Sequence, residues 1–157
     1  MSIKDKTKQF LAYLIQKHSR ASITVIMKLA YLIDLISVQK TNKKISSFQY
    51  VRFYYGPYDK SINEYLSVML GEGIIKSFLE YTPTGNEYVV YSFNDDNYNF
   101  DKLSSKDISF IDEIMESLKG YGAKTLTEIT YKTKPLKKMG ATIGGDEKLN
   151  ARLVLKA

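Results

Sequence analysis

The chain has 157 residues, 44% of them hydrophobic and 25% charged, with three prolines, nine glycines and no cysteine. That length suits one domain with a sizeable core, and the mix excludes wholesale disorder, disulfides and thiolate chemistry. Charges interrupt the N-terminus before any apolar run of signal length, and no stretch approaches the roughly 20 apolar residues of a membrane helix, so a cytoplasmic protein without membrane contact is expected.

The net charge of +6 is unevenly spread: residues 1–60 carry +8, residues 61–120 carry −7 and residues 121–157 carry +5. Lysine outnumbers arginine 20 to 3, the bias an AT-rich coding sequence produces. Much of the positive charge therefore reads as solvated surface, and nucleic acid as a disfavoured partner.

In chain order, Phe10, Leu11, Leu14 and Ile15 form one apolar stripe on a helix over about Ile3–Lys17. Ser22 caps a second helix from Ile23 to about Val38, apolar on most sides and so the expected spine of the core. After a turn at 41–44, the aromatic segment Phe48–Tyr55 reads as a short strand ended by Gly56-Pro57, a strand-to-helix corner. A third helix follows over Asp59–Leu70, with Ile62, Tyr65, Leu66, Met69 and Leu70 on one face.

Ile74–Tyr81 and Glu87–Phe93 read as a β-hairpin with Gly85 in its turn. Ser104 or Ser105 caps a fourth helix to about Lys119, and Thr125 with Glu128 has capping-box spacing for a short helix through Ile129. Pro135 starts another helical turn, and residues 140–157 carry no clear assignment. The expected class is α+β: a mostly helical single domain over 1–157, with a small antiparallel sheet and a winged-helix-like hairpin.

Chemistry is scarce. One histidine, His18, stands at a helix end, and without cysteine the common zinc sites cannot be built. Asp112, Glu113 and Glu116 read as a solvated helix face sooner than a cation site. No nucleophile elbow or phosphate loop is present, and Gly140–Gly145 lacks the lysine that follows such a loop. Neither catalysis, cofactor nor metal is expected. In a winged-helix layout the reading helix would be Asp59–Leu70, yet its outward residues include Glu64 and Glu72 and no arginine. Tyr50, Phe53, Tyr54, Tyr55 and Tyr58 crowd around Gly56-Pro57, too many within nine residues to be all buried. Tyrosine is enriched where surfaces meet partners, so Tyr54, Tyr55, Tyr58 and Asp59 are the candidate partner-binding residues.

Lys28-Leu29-Ala30-Tyr31-Leu32-Ile33-Asp34, followed some twenty residues on by a strand ending in Tyr55-Gly56-Pro57, resembles the SocA-like antitoxin (Panacea) domain. Leu126-Thr127-Glu128-Ile129-Thr130-Tyr131, with Pro135 after it, is similar to that family's C-terminal motif, and the similarity covers about Val25–Met139. The chain departs from the pattern at Tyr131, where histidine is usual, and at Leu136, where tryptophan is. The resemblance implies an antitoxin or proteolytic-adaptor-like role, holding a toxic protein encoded beside it, on phages or mobile elements. Leu29, Tyr31 and Leu32 would be core. Asp34 would sit either on an exposed turn of its helix or, as the resemblance favours, in a buried hydrogen bond to backbone near the corner. The alternative is a winged-helix-like DNA-binding transcriptional regulator.

Overall fold

Apolar side chains on every side of one helix place that helix at the centre of the fold. The structure, a computed structural model, describes residues 2–155; residue 1 and the last two residues of the unassigned tail lie outside them. Helix α2 spans Ile23–Thr41, and every residue from Val25 to Leu35 is buried. Ser22 caps it as expected, accepting from the Val25 amide at 3.4 Å, and Asn42 closes it in the left-handed conformation at φ 65°. Helix α1, Asp5–Lys17, packs against α2. Its expected stripe is fully buried, and Gln9, Ala12 and Tyr13 are buried with it. The reason is neighbours on more than one side: α3 (Ile62–Gly71) and strand β4 (Glu87–Phe93) also pack on α1.

Strands β1 (Val51–Phe53) and β2 (Gly56–Tyr58) pair antiparallel, with Phe53 opposite Gly56. Gly56-Pro57 is therefore not the end of a strand leading into a helix; it lies inside a strand, and the chain reverses at Tyr54-Tyr55. Gly56 makes the tight reversal accessible through its φ of 133°, a region that side-chain-bearing residues rarely enter. Pro57 stands opposite Arg52, whose amide and carbonyl both turn the other way, to Ala151 and Asn150 at 2.8 and 2.7 Å. A missing N–H at position 57 thus leaves no ladder bond unmade. Helix α3 begins three residues later than the expected Asp59, because the Asp59 carboxylate accepts from the Ser61 amide at 2.9 Å and holds 59–61 as a turn.

Strand β3 (Ile75–Tyr81) pairs with β4 along its whole length, from Ile75↔Phe93 to Tyr81↔Glu87. Backbone bonds between Ala21 and Tyr91 tie this hairpin to the entrance of α2. Helix α4, Ser105–Ser117, starts at Ser104 with a reciprocal capping box to Asp107. Helix α5 is Ala123–Tyr131, and here the expected Thr125–Glu128 capping box is absent: Gly122 is the N-cap, and Thr125 already lies within the helix. Helix α6, Lys134–Lys138, has Pro135 in its first turn, as expected.

The segment after Gly140 returns to β1. Leu153 donates to Tyr50 O at 2.9 Å and Gly144 to Tyr54 O at 2.8 Å, and Leu153 is buried. Strand β1 is thereby paired on both edges, which covers an edge that would otherwise stand open. The architecture is α+β and mostly helical, with two small antiparallel sheets. A contiguous apolar core joins α1, α2, α3, α4 and α5.

Candidate protein-binding site

Helices α2 and α5 and strand β2 meet at the motifs singled out in the sequence. Lys28 on α2 runs under Gly56, where a β-carbon would come within 3.6 Å of Lys28 Cε and 3.8 Å of Thr130 Cγ2. The Tyr31 hydroxyl reaches Thr133 Oγ1 at 2.8 Å, and its ring meets Tyr50 edge-on at 5.4 Å between centroids. Leu29, Tyr31 and Leu32 are core, as expected, and Leu126 is buried with them. Glu128 is exposed and Pro135 is partly covered.

Asp34 is fully buried. Its carboxylate accepts from the Ile45 and Ser46 amides at 2.8 and 3.1 Å, from the Ser46 hydroxyl, and from the Tyr50 hydroxyl at 2.8 Å. The backbone it holds is the 45–46 approach to the aromatic segment, not the Gly56-Pro57 corner. Burial raises this carboxyl above its ordinary range, and the hydroxyl and amide donors pull in the opposite direction. Burial, with the nearby Asp34 charge second, also lifts the Tyr50 phenol well above its usual value. The pair is a fixed internal strut.

Arg52 is the residue the sequence reading missed. Its side chain is fully buried, with Nε on Glu147 O at 3.1 Å and Nη1 on Tyr131 Oη at 3.0 Å and on Phe53 O. Nη2 reaches Thr142 O, Gly145 O and Glu147 Oε1 at 2.8, 3.1 and 3.1 Å. A planar fork with five donors suits such a ring of carbonyls. Glu147 in turn accepts from the Thr142 hydroxyl at 2.7 Å and the Thr142 amide at 3.1 Å. Those bonds, with the Arg52 guanidinium adding to them, hold its carboxyl down at about 2. The available signal was the rarity of arginine in a lysine-rich chain, placed at mid-strand among aromatics.

The clamp presents the aromatic turn. Phe53, Tyr54 and Tyr55 are exposed, Tyr55 by 60%. Phe53 stacks on Tyr58 at 5.3 Å, and the Tyr58 hydroxyl accepts from Asn63 Nδ2 at 2.8 Å. Tyr50 belongs to the core instead. Both oxygens of Asp59 are occupied, one by the Ser61 amide and one by the Gln49 amide at 2.8 Å, so Asp59 braces the patch from beneath.

Elsewhere, Asp112 accepts from the Tyr13 hydroxyl at 2.6 Å. Among the described residues no three His, Cys, Asp or Glu side chains gather as a metal site, and no helix is long and apolar enough to cross a membrane. On the winged-helix-like face, Glu80 is engaged by Arg20 and Glu72 by Lys8, and Lys76 rests over the Phe78 ring. That face offers few free cations to a phosphate backbone.

The family model described as Antitoxin SocA-like, Panacea domain, matches residues 26–136. No curated protein and no solved structure gives a significant match. The matched span takes in the α2 motif, Gly56-Pro57 and the α5 motif, which the fold packs against one another, and the chain belongs to the SocA-like antitoxin (Panacea) family.

Proposed function

We propose that this chain acts in the cytoplasm as one domain, neutralising a toxic protein encoded beside it by direct contact and without catalysis. The observation that carries this is the patch of Phe53, Tyr54 and Tyr55, exposed on a turn whose backbone is clamped from behind, with half-buried Tyr58 stacked on Phe53. Rigid amphipathic rings lose little side-chain entropy on docking, which suits a contact surface. Co-expression with the adjacent gene tests the reading: rescue of growth together with co-purification is expected. A neighbour that is harmless alone and does not co-purify sinks it.

A second reading, a DNA-binding regulator, has one observation in its favour. Lys134, Lys138, Lys148 and Arg152 line a single concavity of about 490 Å³ in which no carboxylate takes part. Such a cluster could follow a phosphate backbone. A mobility-shift assay on the chain's own upstream region decides: no salt-dependent shift at micromolar protein removes this reading.

A further inference from the structure

Most of the buried polar side chains in this fold have visible work. Asp34 holds the 45–46 backbone and Tyr50, Arg52 holds five oxygens of the returning tail and α5 besides the carbonyl of its neighbour Phe53, and Thr130 bonds its own helix. Lys28 does not. It is 3% exposed on α2, yet it takes no part in the four ion pairs found among the described residues, and no hydrogen bond from its ammonium is found there. A buried cation without a partner destabilises the fold that contains it. Methionine would fill a similar volume without that cost.

The place of Lys28 suggests what answers the charge. It lines a cleft of about 210 Å³ with Met27, Phe53, Tyr55, Gly56 and Tyr58. Phe53 and Tyr55 belong to the exposed aromatic patch and half-buried Tyr58 stacks on Phe53, so the cleft opens within the proposed contact surface. Its walls are apolar and aromatic, and its one formal charge is the lysine. Apolar walls with one placed polar group are the usual build of a recognition pocket.

We infer that this cleft receives an aspartate or glutamate side chain of the protein partner, with Lys28 as its counter-ion. The inference rests on the protein-contact reading above and adds to it the chemistry of the anchoring residue. A carboxylate entering here meets an ammonium already largely shielded from water, and charge-assisted bonds formed in such a site are the strong ones. Gly56 keeps the roof of the cleft low over the lysine stem, since its own φ of 133° sets the path of β2 there.

The test uses the whole chain and N-acetylglutamate amide as probe, with N-acetylglutamine amide and sodium chloride at matched ionic strength as controls. Lysine side chains labelled with 13C report the Lys28 ammonium by NMR titration. The acid is expected to raise the apparent Lys28 pKa towards the ordinary lysine range, with at least tenfold weaker effects from the amide and the salt. Lys28→Met is expected to melt at a higher temperature than the parent and to lose the response. An equal effect of chloride, no effect of the acid, or a lower melting temperature for Lys28→Met each overturns the assignment. N-acetylglutamine with a free C-terminal carboxylate is the remaining arm: a response to it alone would place a chain terminus in the cleft and overturn the side-chain assignment. Because no toxin is used, failure here is separable from failure of the neutralisation assay.

Discussion

The Tyr131 hydroxyl donates to the Tyr54 carbonyl oxygen at 2.8 Å, so a side chain from the last turn of α5 fixes the turn that displays the aromatic patch. The Tyr131 hydroxyl oxygen in turn accepts from Arg52 Nη1 at 3.0 Å. Tyr131→Phe keeps the ring and removes only this relay. It should cost about 1–2 kcal/mol in urea unfolding, because a buried donor and a carbonyl lose their partner. A stability within 0.3 kcal/mol of the parent, a margin set by roughly the additivity error of such measurements, would contradict the relay.

Replacing Arg52 by methionine removes every side-chain bond from β1 to the carbonyls of the returning tail and leaves the backbone bond to Ala151 in place. A loss of about 3 kcal/mol or more is expected. Limited proteolysis should show new cleavage within residues 142–149, ahead of global unfolding. Acid should act on the same clamp through Glu147. Its folded carboxyl sits near 2 and its ordinary value is 4.5, so its contribution is complete above pH 4.5 and fades as pH falls towards 2. Glu147→Gln should abolish that part of the acid response; an unchanged acid profile would count against it.

Asp34→Ala leaves the Ile45 and Ser46 amides and the Tyr50 hydroxyl without their acceptor, in a site closed to water. Each orphaned buried donor costs roughly 1–3 kcal/mol, so the variant should lose at least 3 kcal/mol or fail to fold. Hydrogen exchange at the Ile45 and Ser46 amides gives the local readout. If those amides stay as protected as in the parent, the strut is not what holds them.

Tyr55→Ala and Tyr54→Ala test the patch itself. Their side chains are exposed, so unfolding free energies should stay within about 0.5 kcal/mol of the parent. Under the proposed neutralising role, rescue of cells expressing the adjacent gene should fall at least tenfold. Full rescue by both variants would place the contact surface elsewhere.

Lys28 makes the chain more stable in mild alkali. Burial lowers its pKa from 10.5 to about 8. Below pH 8 the lysine is charged in both states and the folded state bears the full penalty. Between pH 8 and 10.5 the unfolded chain holds the proton more tightly, so stability rises with pH across that window. Lys28→Met should flatten this slope and add roughly 3 kcal/mol at neutral pH. A parent stability that falls from pH 8 to 9.5, with the tyrosine phenols still protonated, would refute it.

Local signals in the sequence located most helices because their causes are local. Ser22 and Ser104 cap where hydroxyl spacing says they should, and the β3–β4 register follows from two apolar runs joined at Gly85. The Gly56-Pro57 pair misled because its most common use is to end a strand, whereas here a positive φ and an unneeded N–H let both residues sit within one. Thr125 misled because Gly122 starts α5 three residues earlier. The tail was opaque for another reason. Its partners are Arg52 and Tyr54, some 90 residues away, and no pattern within residues 140–155 encodes them. Of the candidate site, the exposed tyrosines and the motif residues were legible from composition and resemblance. The clamp and the unpaired charge of Lys28 were not, since both depend on what lies opposite in space.

The Arg52 clamp also sets an order of events during synthesis. Phe53–Tyr58 leaves the ribosome long before Glu147, which follows Arg52 by 95 residues. Until that late segment emerges, the guanidinium lacks the tail carbonyls it grips, and the aromatic turn is held only through Tyr131. A nascent chain therefore carries the rings before their clamp is complete, and a product ending before residue 142 would display them without the tail behind them.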